Sequence, residues 1–385
     1  MPKINYFKGC CGCSACASIC PTHCIKLVED QKGFLYPKVE AEKCINCGKC
    51  DNICPVLSRK LGLVSKKEAY AALTKDEHVR ELSSSGGIFY ELSQQTLKDG
   101  GVVFGATCID GLKVVHQKIE KGEEIIKLCG SKYSQSDTSS IFEQVKRELS
   151  TGRKVLFSGT PCQVAGLSSF LNKPYENLIL VDLICHGVPS PLIWKKYVDY
   201  IGKKTGSTAK EVYFREKSTG WRTFSLKIEF QNGEQYLNKA RDDAYFKAFL
   251  NNLNLRPSCY DCKFKGEKRY SDITIGDFWG IERVAQKLDD NKGTSLVIIN
   301  TEKGKDIFDT INSQIYSLKV DFNSSISGNS AYSKSVYKNK RREKFFEEIL
   351  QNDNFDLVVK KYTKPNIIRK VKNFIKKLLA KKGRR

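Results

Sequence analysis

No run of about 18 apolar residues occurs anywhere in this 385-residue sequence, so no segment is expected to span a bilayer. The N-terminus, M-P-K-I-N-Y-F-K-G-C-C, also lacks the apolar core of roughly 7–15 residues that a signal peptide carries. The expected compartment is therefore the cytoplasm, where disulfides are disfavoured. That removes the simplest role for the 16 cysteines. Acidic residues are missing from one place in particular: residues 364–385 hold ten Lys or Arg and no Asp or Glu, so this short tail supplies ten of the 22 net positive charges. Phe374 is its one aromatic residue. A nucleic-acid-binding surface interleaves aromatics with a broad basic face, so nucleic acid is disfavoured as a partner.

What is present in excess is cysteine, and ten of the 16 lie within the first 54 residues. Cys10, Cys13, Cys16 and Cys20 follow C-x2-C-x2-C-x3-C-P, and Cys44, Cys47, Cys50 and Cys54 repeat the pattern up to Pro55. This is the spacing of a two-cluster bacterial ferredoxin. Three thiolates at short spacing wrap one side of an iron–sulfur cube, and Gly12 and Gly48 permit the turns between them. The fourth thiolate crosses to the other cluster. One 4Fe–4S cluster is thus assigned to Cys10, Cys13, Cys16 and Cys54, the other to Cys44, Cys47, Cys50 and Cys20. Structural zinc sites pair two C-x2-C knuckles or a knuckle with histidines, and the doubled three-plus-one pattern favours iron. Cys11 and Cys24 fall outside the pattern as bystanders. Two adjacent clusters relay electrons, so something downstream must use them.

After a linker at 56–68 the pattern alternates strand and helix. A strand over Ala69–Leu73 leads into S-S-S-G-G, and a helix is expected from Gly86 to Gly100. The amides at such a start can cradle an anion. Strands follow at 101–108 and 112–119, then a helix at 138–150. The run Val155–Phe157 reads as a buried strand, Gly159 as a turn and Pro161 as a first helical residue. Cys162 then lies at the carboxyl end of a strand, where open α/β sheets bind ligands. The strand Leu178–Ile184 brings Cys185 and His186 to a similar edge. Paired strands at 209–237 turn at Asn232-Gly233, a helix covers 241–251, and a last strand and helix cover 293–304. The fold expected is α+β or α/β: a small ferredoxin domain over 1–58, a larger mixed α/β domain over 68–325 in two parts (about 68–150 and 154–320), and a basic helical tail over 326–385.

Cys162, Cys185, Cys259 and Cys262 stand near loop ends, the last two as C-x2-C. They suit a third cluster, small buried apolar positions, or in part a zinc knuckle. Cys108 and Cys129 read as core or loop residues.

Several motifs now occur together in one order: S-S-G-G-I-F at 84–89, G-S-K-Y-S-Q-S at 130–136, G-T-P-C-Q-V-A-G-L at 159–167, D-L-I-C-H-G-V-P-S-P at 182–191, C-x2-C at 259–262 and I-G-D-F-W-G at 275–280. In this combination residues 1–305 resemble the coenzyme F-420 hydrogenase/dehydrogenase beta-subunit family with a ferredoxin module in front. The resemblance implies a flavoprotein that binds FAD and an additional 4Fe–4S cluster. It places that cluster on Cys162, Cys259 and Cys262, with Cys185 as the fourth candidate. For the flavin phosphates it directs attention to Ser84, Ser85, Gly86, Gly87, Gly159 and Thr160, with Lys132 supplying charge. The plainer readings are a capped helix start and a solvated lysine. His186 is a candidate proton donor, or an ordinary hydrogen-bonded histidine.

The function expected is electron transfer between the clusters and a two-electron substrate or cofactor through FAD. The alternative is a non-catalytic electron-transfer subunit of a partner enzyme, and a third class is a zinc-stabilised nucleic-acid-binding protein. Either of the first two requires an electron donor or acceptor protein. Some family members are associated with surface polysaccharide synthesis, and no residue here points to a deazaflavin pocket. On a helix, Ile367, Val371, Phe374, Ile375 and Leu378 of the tail share one face, with Lys370, Lys372, Lys376 and Lys377 mostly off it. That suits an anionic membrane surface and a peripheral position at the inner face of the membrane, or packing on the body.

Overall fold

The computed structural model describes residues 2–5, 7–58 and 67–364. The ferredoxin segment is built on a hairpin of β1 (Ile25–Glu29) and β2 (Leu35–Val39), in which Ile25 faces Val39. Two short helices, Ala15–Ile19 and Lys49–Asn52, carry its cysteines. Each is entered through a left-handed residue, Ser14 (φ 68°) and Gly48 (φ 69°). Its core is small: Ile4, Ile25 and Val39 pack with Cys16, Cys20, Cys24 and Cys50.

The body begins with β3 (Glu68–Thr74), β4 (Val102–Ile109), β5 (Lys113–Ile119), β6 (Val155–Gly159) and β7 (Leu178–Leu183). A separate antiparallel sheet follows, made of β8 (Ala209–Glu216), β9 (Ser225–Phe230) and β10 (Gln235–Lys239). The chain then returns to the main sheet with β11 (Ile273–Asp277), β12 (Ser295–Ile299) and β13 (Ile315–Val320). The main sheet has eight strands in the order β13-β3-β12-β11-β7-β6-β4-β5. Its centre, β11-β7-β6-β4, is parallel, and both flanks are antiparallel. Central parallel strands are covered on both faces and so read as nearly continuous apolar runs. V-L-F-S-G in β6 is buried throughout.

Strand alternation assigns the two faces. Val103, Leu156, Ile179 and Val181 pack under the helix Ile88–Lys98. Val102, Phe104, Val155, Phe157 and Leu180 pack under the helices Ile141–Ser150 and Pro161–Leu171. A third core is aromatic. The helix Pro191–Thr205 brings Trp194 and Tyr197 against Phe214, Tyr245, Phe246 and Phe249.

The body does not stop near residue 325. Helices Arg342–Gln351 and Phe355–Thr363 complete the aromatic core. Phe345, Phe346, Ile349, Phe355, Val358 and Val359 are each at most 1% exposed, so the first part of the expected basic tail is folded structure. Their helical spacing is the signal that a charge count obscures. The amphipathic segment after Lys364 lies outside the described residues, as do residues 59–66 of the expected linker. Among the described residues no helix is long and apolar enough to cross a membrane.

Candidate redox site

Two small spaces lie within the ferredoxin segment. Cys10, Cys13, Cys16 and Cys54 line one. Cys20, Cys44, Cys47 and Cys50 line the other, joined by Cys24, whose sulfur is 3.4 Å from that of Cys20. The last cysteine of each motif therefore stands with the trio of the other motif. Burial pushes the Cys16 thiol far up and the Cys50 thiol to about 11. Thiols held neutral by burial become good ligands only when a metal takes the proton's place.

The first space is set into the body and the second is not. Cys13 and Ala15 belong to the core beneath Phe142 and Phe157. Ser14 Oγ is 2.8 Å from Thr138 Oγ1. A Cβ on Gly166, in the helix Pro161–Leu171, would lie 2.7 Å from Cys13 Cβ and 2.8 Å from its sulfur. Only glycine permits this approach. Gly166→Ala is expected to push the Cys13 turn off the body at a cost of about 1–3 kcal/mol, read as a lowered melting temperature of the anaerobically purified protein. Cys47, by contrast, is exposed, and Ile45 beside it is 65% exposed.

A much larger cavity, about 660 Å³, opens beyond the carboxyl ends of β6, β7 and β11. Open sheets place ligands there because loops leave the strands in diverging directions. Cys162 follows β6 at the second position of its helix, and Cys185 follows β7; both line the cavity. Cys259 and Cys262 sit on and just after the turn Pro257–Asp261. The Val188 amide donates to Cys259 Sγ at 3.3 Å. Cys162, Cys185, Cys259 and Cys262 act on one another electrostatically, so the fold gathers all four. Burial lifts the Cys185 thiol to about 12 and the Cys259 thiol further. Among the described residues no three His, Cys, Asp or Glu side chains converge on a single-ion position. A four-iron cube takes one thiolate per iron, so its ligands stand apart.

Cys11 also belongs here. It lines both the first ferredoxin space and the large cavity, and its thiol interacts with those of Cys13 and Cys162. Its place in the sequence, one residue off the motif, carries no sign of this. Cys129 lines the same cavity away from these thiols, and both it and Cys108 lie beside Lys132.

The far wall of the cavity has another chemistry. The helix Ile88–Lys98 starts at Gly87 (φ 81°) with no side-chain cap, and Ser84, Ser85 and Gly87 line the cavity in front of it. Ser84 Oγ accepts from the Ser131 amide at 2.6 Å. Gly86 faces the sheet instead. Its amide donates to Ser295 Oγ, and a Cβ there would meet the Ala72 carbonyl oxygen at 2.3 Å. Lys132 reaches this wall with its ammonium on the carbonyls of Cys129 and Lys127, at 2.6 and 3.1 Å. Burial lowers its pKa to about 8. Gly159 and Thr160 line the cavity too, but the Thr160 amide is taken up by Gln163 Oε1.

Two histidines face the cavity. His186 Nε2 is 2.8 Å from Asn252 Oδ1, and burial lowers its pKa. His116, which no motif singles out, is held between Ser136 Oγ and the Ser158 carbonyl, and burial lowers it to about 4. It is a neutral structural residue at ordinary pH. Arg215 is also without a sequence signal. Its guanidinium pairs with both oxygens of Asp277, at 2.9 and 3.1 Å, and lies 3.9 Å from the Phe224 ring centre. Asp277 further accepts from Trp221 Nε1 at 2.8 Å, and Trp221 stacks on Trp279. Arg215 Nε is buried with no hydrogen-bond partner among the described residues, a donor left over at the cavity wall.

Two family models match parts of this chain. Residues 9–57 match the model of the 4Fe-4S dicluster domain, and residues 152–322 match that of the C terminus of the coenzyme F420 hydrogenase/dehydrogenase beta subunit. No curated protein matches the chain. Among solved structures, a chain of the xenon-derivatized F420-reducing [NiFe] hydrogenase complex from Methanosarcina barkeri is 19% identical, with a TM-score of 0.46, over 67% of this chain and 83% of that one. The chain thus carries a 4Fe-4S dicluster domain ahead of an α/β body whose residues 152–322 are similar to the C terminus of the coenzyme F420 hydrogenase/dehydrogenase beta subunit.

Proposed function

We propose that this chain is an iron–sulfur flavoprotein oxidoreductase. It passes electrons between the ferredoxin clusters and a two-electron substrate or cofactor, through FAD held in the large cavity and a third 4Fe–4S cluster held by Cys162, Cys185, Cys259 and Cys262. One observation carries the reading: a single cavity has buried thiols on one wall and, on the other, an uncapped helix start with a lysine that has no acidic partner among the described residues. A flavin exchanges two electrons with its substrate and single electrons with iron–sulfur clusters.

The chain's residues divide the work. Ser84, Ser85 and Gly87, at the start of their helix, and Lys132 are suited to hold phosphate oxygens. Arg215 offers its unpaired Nε to a second anionic or carbonyl oxygen. Trp279, backed by the buried Trp221, and Phe224 supply the flat apolar wall that ligand rings prefer. The exposed turn around Ile45 and Cys47 is where a donor or acceptor protein would reach the outer cluster.

Anaerobic purification followed by iron, sulfide and flavin analysis tests this. About twelve irons and one FAD per chain are expected for three clusters and a flavin, with bleaching of the flavin by a reduced nicotinamide or deazaflavin as the activity screen. About eight irons and no flavin would refute it.

Lys132 gives a second test. Its ammonium is charged below about pH 8 and neutral above, and an anionic ligand binds the charged form. FAD affinity is therefore expected to hold steady up to about pH 8 and to weaken above it. Lys132→Gln should weaken it by roughly 10- to 100-fold at pH 7, the value of a charge-assisted hydrogen bond, and flatten the pH dependence. Equilibrium binding followed by flavin fluorescence reads both.

A further inference from the structure

Five arginines are buried in the described residues: Arg80, Arg215, Arg256, Arg269 and Arg342. Four have a carboxylate: Asp290, Asp277, Asp182 and Glu343 for Arg80, Arg215, Arg269 and Arg342 respectively. Arg256 does not. It is 1% exposed. Its Nε donates to the Cys10 carbonyl at 2.9 Å, one Nη to Gln135 Oε1 at 3.0 Å and the other to the Leu35 carbonyl at 2.8 Å. Its guanidinium lies 4.3 Å from the Tyr36 ring centre. None of these partners is charged. A buried cation without a counter-charge is costly, so a fold that retains one implies an anion beside it.

The groups on either side of Arg256 are cysteines. The Cys10 carbonyl it holds belongs to the loop that carries Cys10 and Cys13, and Gly12 packs directly on the guanidinium. On its other side the same charge acts on Cys162. A cube with four thiolates is anionic and gains a further negative charge on reduction. A fixed cation at this spot favours the reduced state of whatever sits nearest. The outer group, Cys20, Cys44, Cys47 and Cys50, has no residue among the bonds of Arg256.

We propose that Arg256 is a positioning and potential-setting residue: it raises the reduction potential of the cluster on Cys10, Cys13, Cys16 and Cys54 above that of the cluster on Cys20, Cys44, Cys47 and Cys50. One electron then leaves the outer cluster and enters the inner one, with no bond or proton changed, and the gradient points toward Cys11, Cys162 and the cavity. The first electron comes from a one-electron donor protein, or from dithionite in the test. The inference rests on the ligand assignment proposed above.

The test is a dithionite redox titration of the anaerobic holoprotein followed by electron paramagnetic resonance, with the outer signal assigned by its loss in Cys47→Ser. Arg256→Gln is expected to make the inner cluster at least tenfold harder to reduce, about 59 mV for one electron, and to leave the outer midpoint in place. Arg256→Lys should retain most of the wild-type value. Gln135→Glu keeps the arginine and its clamp but supplies the missing carboxylate, so it should shift the inner midpoint in the same direction as Arg256→Gln even if that variant does not fold. An inner midpoint unmoved by Gln135→Glu, or inner and outer midpoints moving together, would overturn the proposal. Iron and sulfide per chain, measured on the same samples, test the ligand assignment separately.

Discussion

Cys162→Ser is expected to lower the iron content from about twelve to about eight per chain while leaving the ferredoxin clusters in place. Cys162 opens the helix that follows β6, so its sulfur faces the cavity and the other three cysteines of its set at once. Serine keeps the shape and the contact to Thr160 Oγ1, which lies 3.2 Å from the Cys162 sulfur. It replaces a soft thiolate by an oxygen that iron–sulfur clusters accept poorly. The backbone should tolerate the change, because a serine fits the second position of a helix. FAD should remain, since its proposed contacts are on the far wall. The expected phenotype is specific: cluster signals from the ferredoxin segment, bound flavin, and flavin that no longer becomes reduced when those clusters are reduced. Retention of about twelve irons, or undiminished flavin reduction, would remove the third cluster from the proposal. Cys11→Ser is the informative companion. Cys11 touches Cys13 and Cys162 without belonging to either motif, so its loss should slow transfer and leave the iron count unchanged.

Much of this architecture is legible in the residues, for physical reasons that differ by region. The ferredoxin motifs are local chemistry at fixed spacing, and the cysteines fall into the two crossed groups that such spacing demands. The strands β4, β5, β6 and β7 announce themselves through apolar runs, and Pro161 marks the helix that carries Cys162. The Asn232-Gly233 turn is found between β9 and β10, with Gly233 at φ 86°. The helices after residue 340 are harder to see because lysine and arginine dominate the count while the buried phenylalanines carry the energy. Gly86 looks like a phosphate-loop glycine, yet it is required by the sheet behind it. Arg215, Arg256 and His116 leave no trace in the sequence at all. Their roles come from partners about 20 to 250 residues away, such as Ser136 for His116 and Cys10 for Arg256, and no local pattern encodes such a pairing.

Asp277→Ala should be among the most destabilising single substitutions in the cavity wall. The Arg215 side chain is 3% exposed and Asp277 is 17% exposed, so neither charge is well solvated. Removing the carboxylate leaves a buried guanidinium with only the Tyr133 hydroxyl and the Ser84 carbonyl, both at 3.3 Å, and strands Trp221 Nε1 as well. Breaking a buried pair in this way costs about 3–5 kcal/mol. By the usual scaling for large domains that lowers the melting temperature by roughly 6–20 °C. Asp242→Ala, which breaks the exposed pair with Arg241, is the control and should change stability by less than about 1 kcal/mol. The double variant Arg215→Met with Asp277→Ala separates stability from function. Replacing both charges with an apolar side chain should recover much of the lost melting temperature, because a buried ion pair contributes little net stability over a well-packed substitute. It should not recover flavin binding if Arg215 Nε is a ligand contact. Recovery of both would mean that the pair only holds the wall in place; recovery of stability alone would put Arg215 in contact with what the cavity binds.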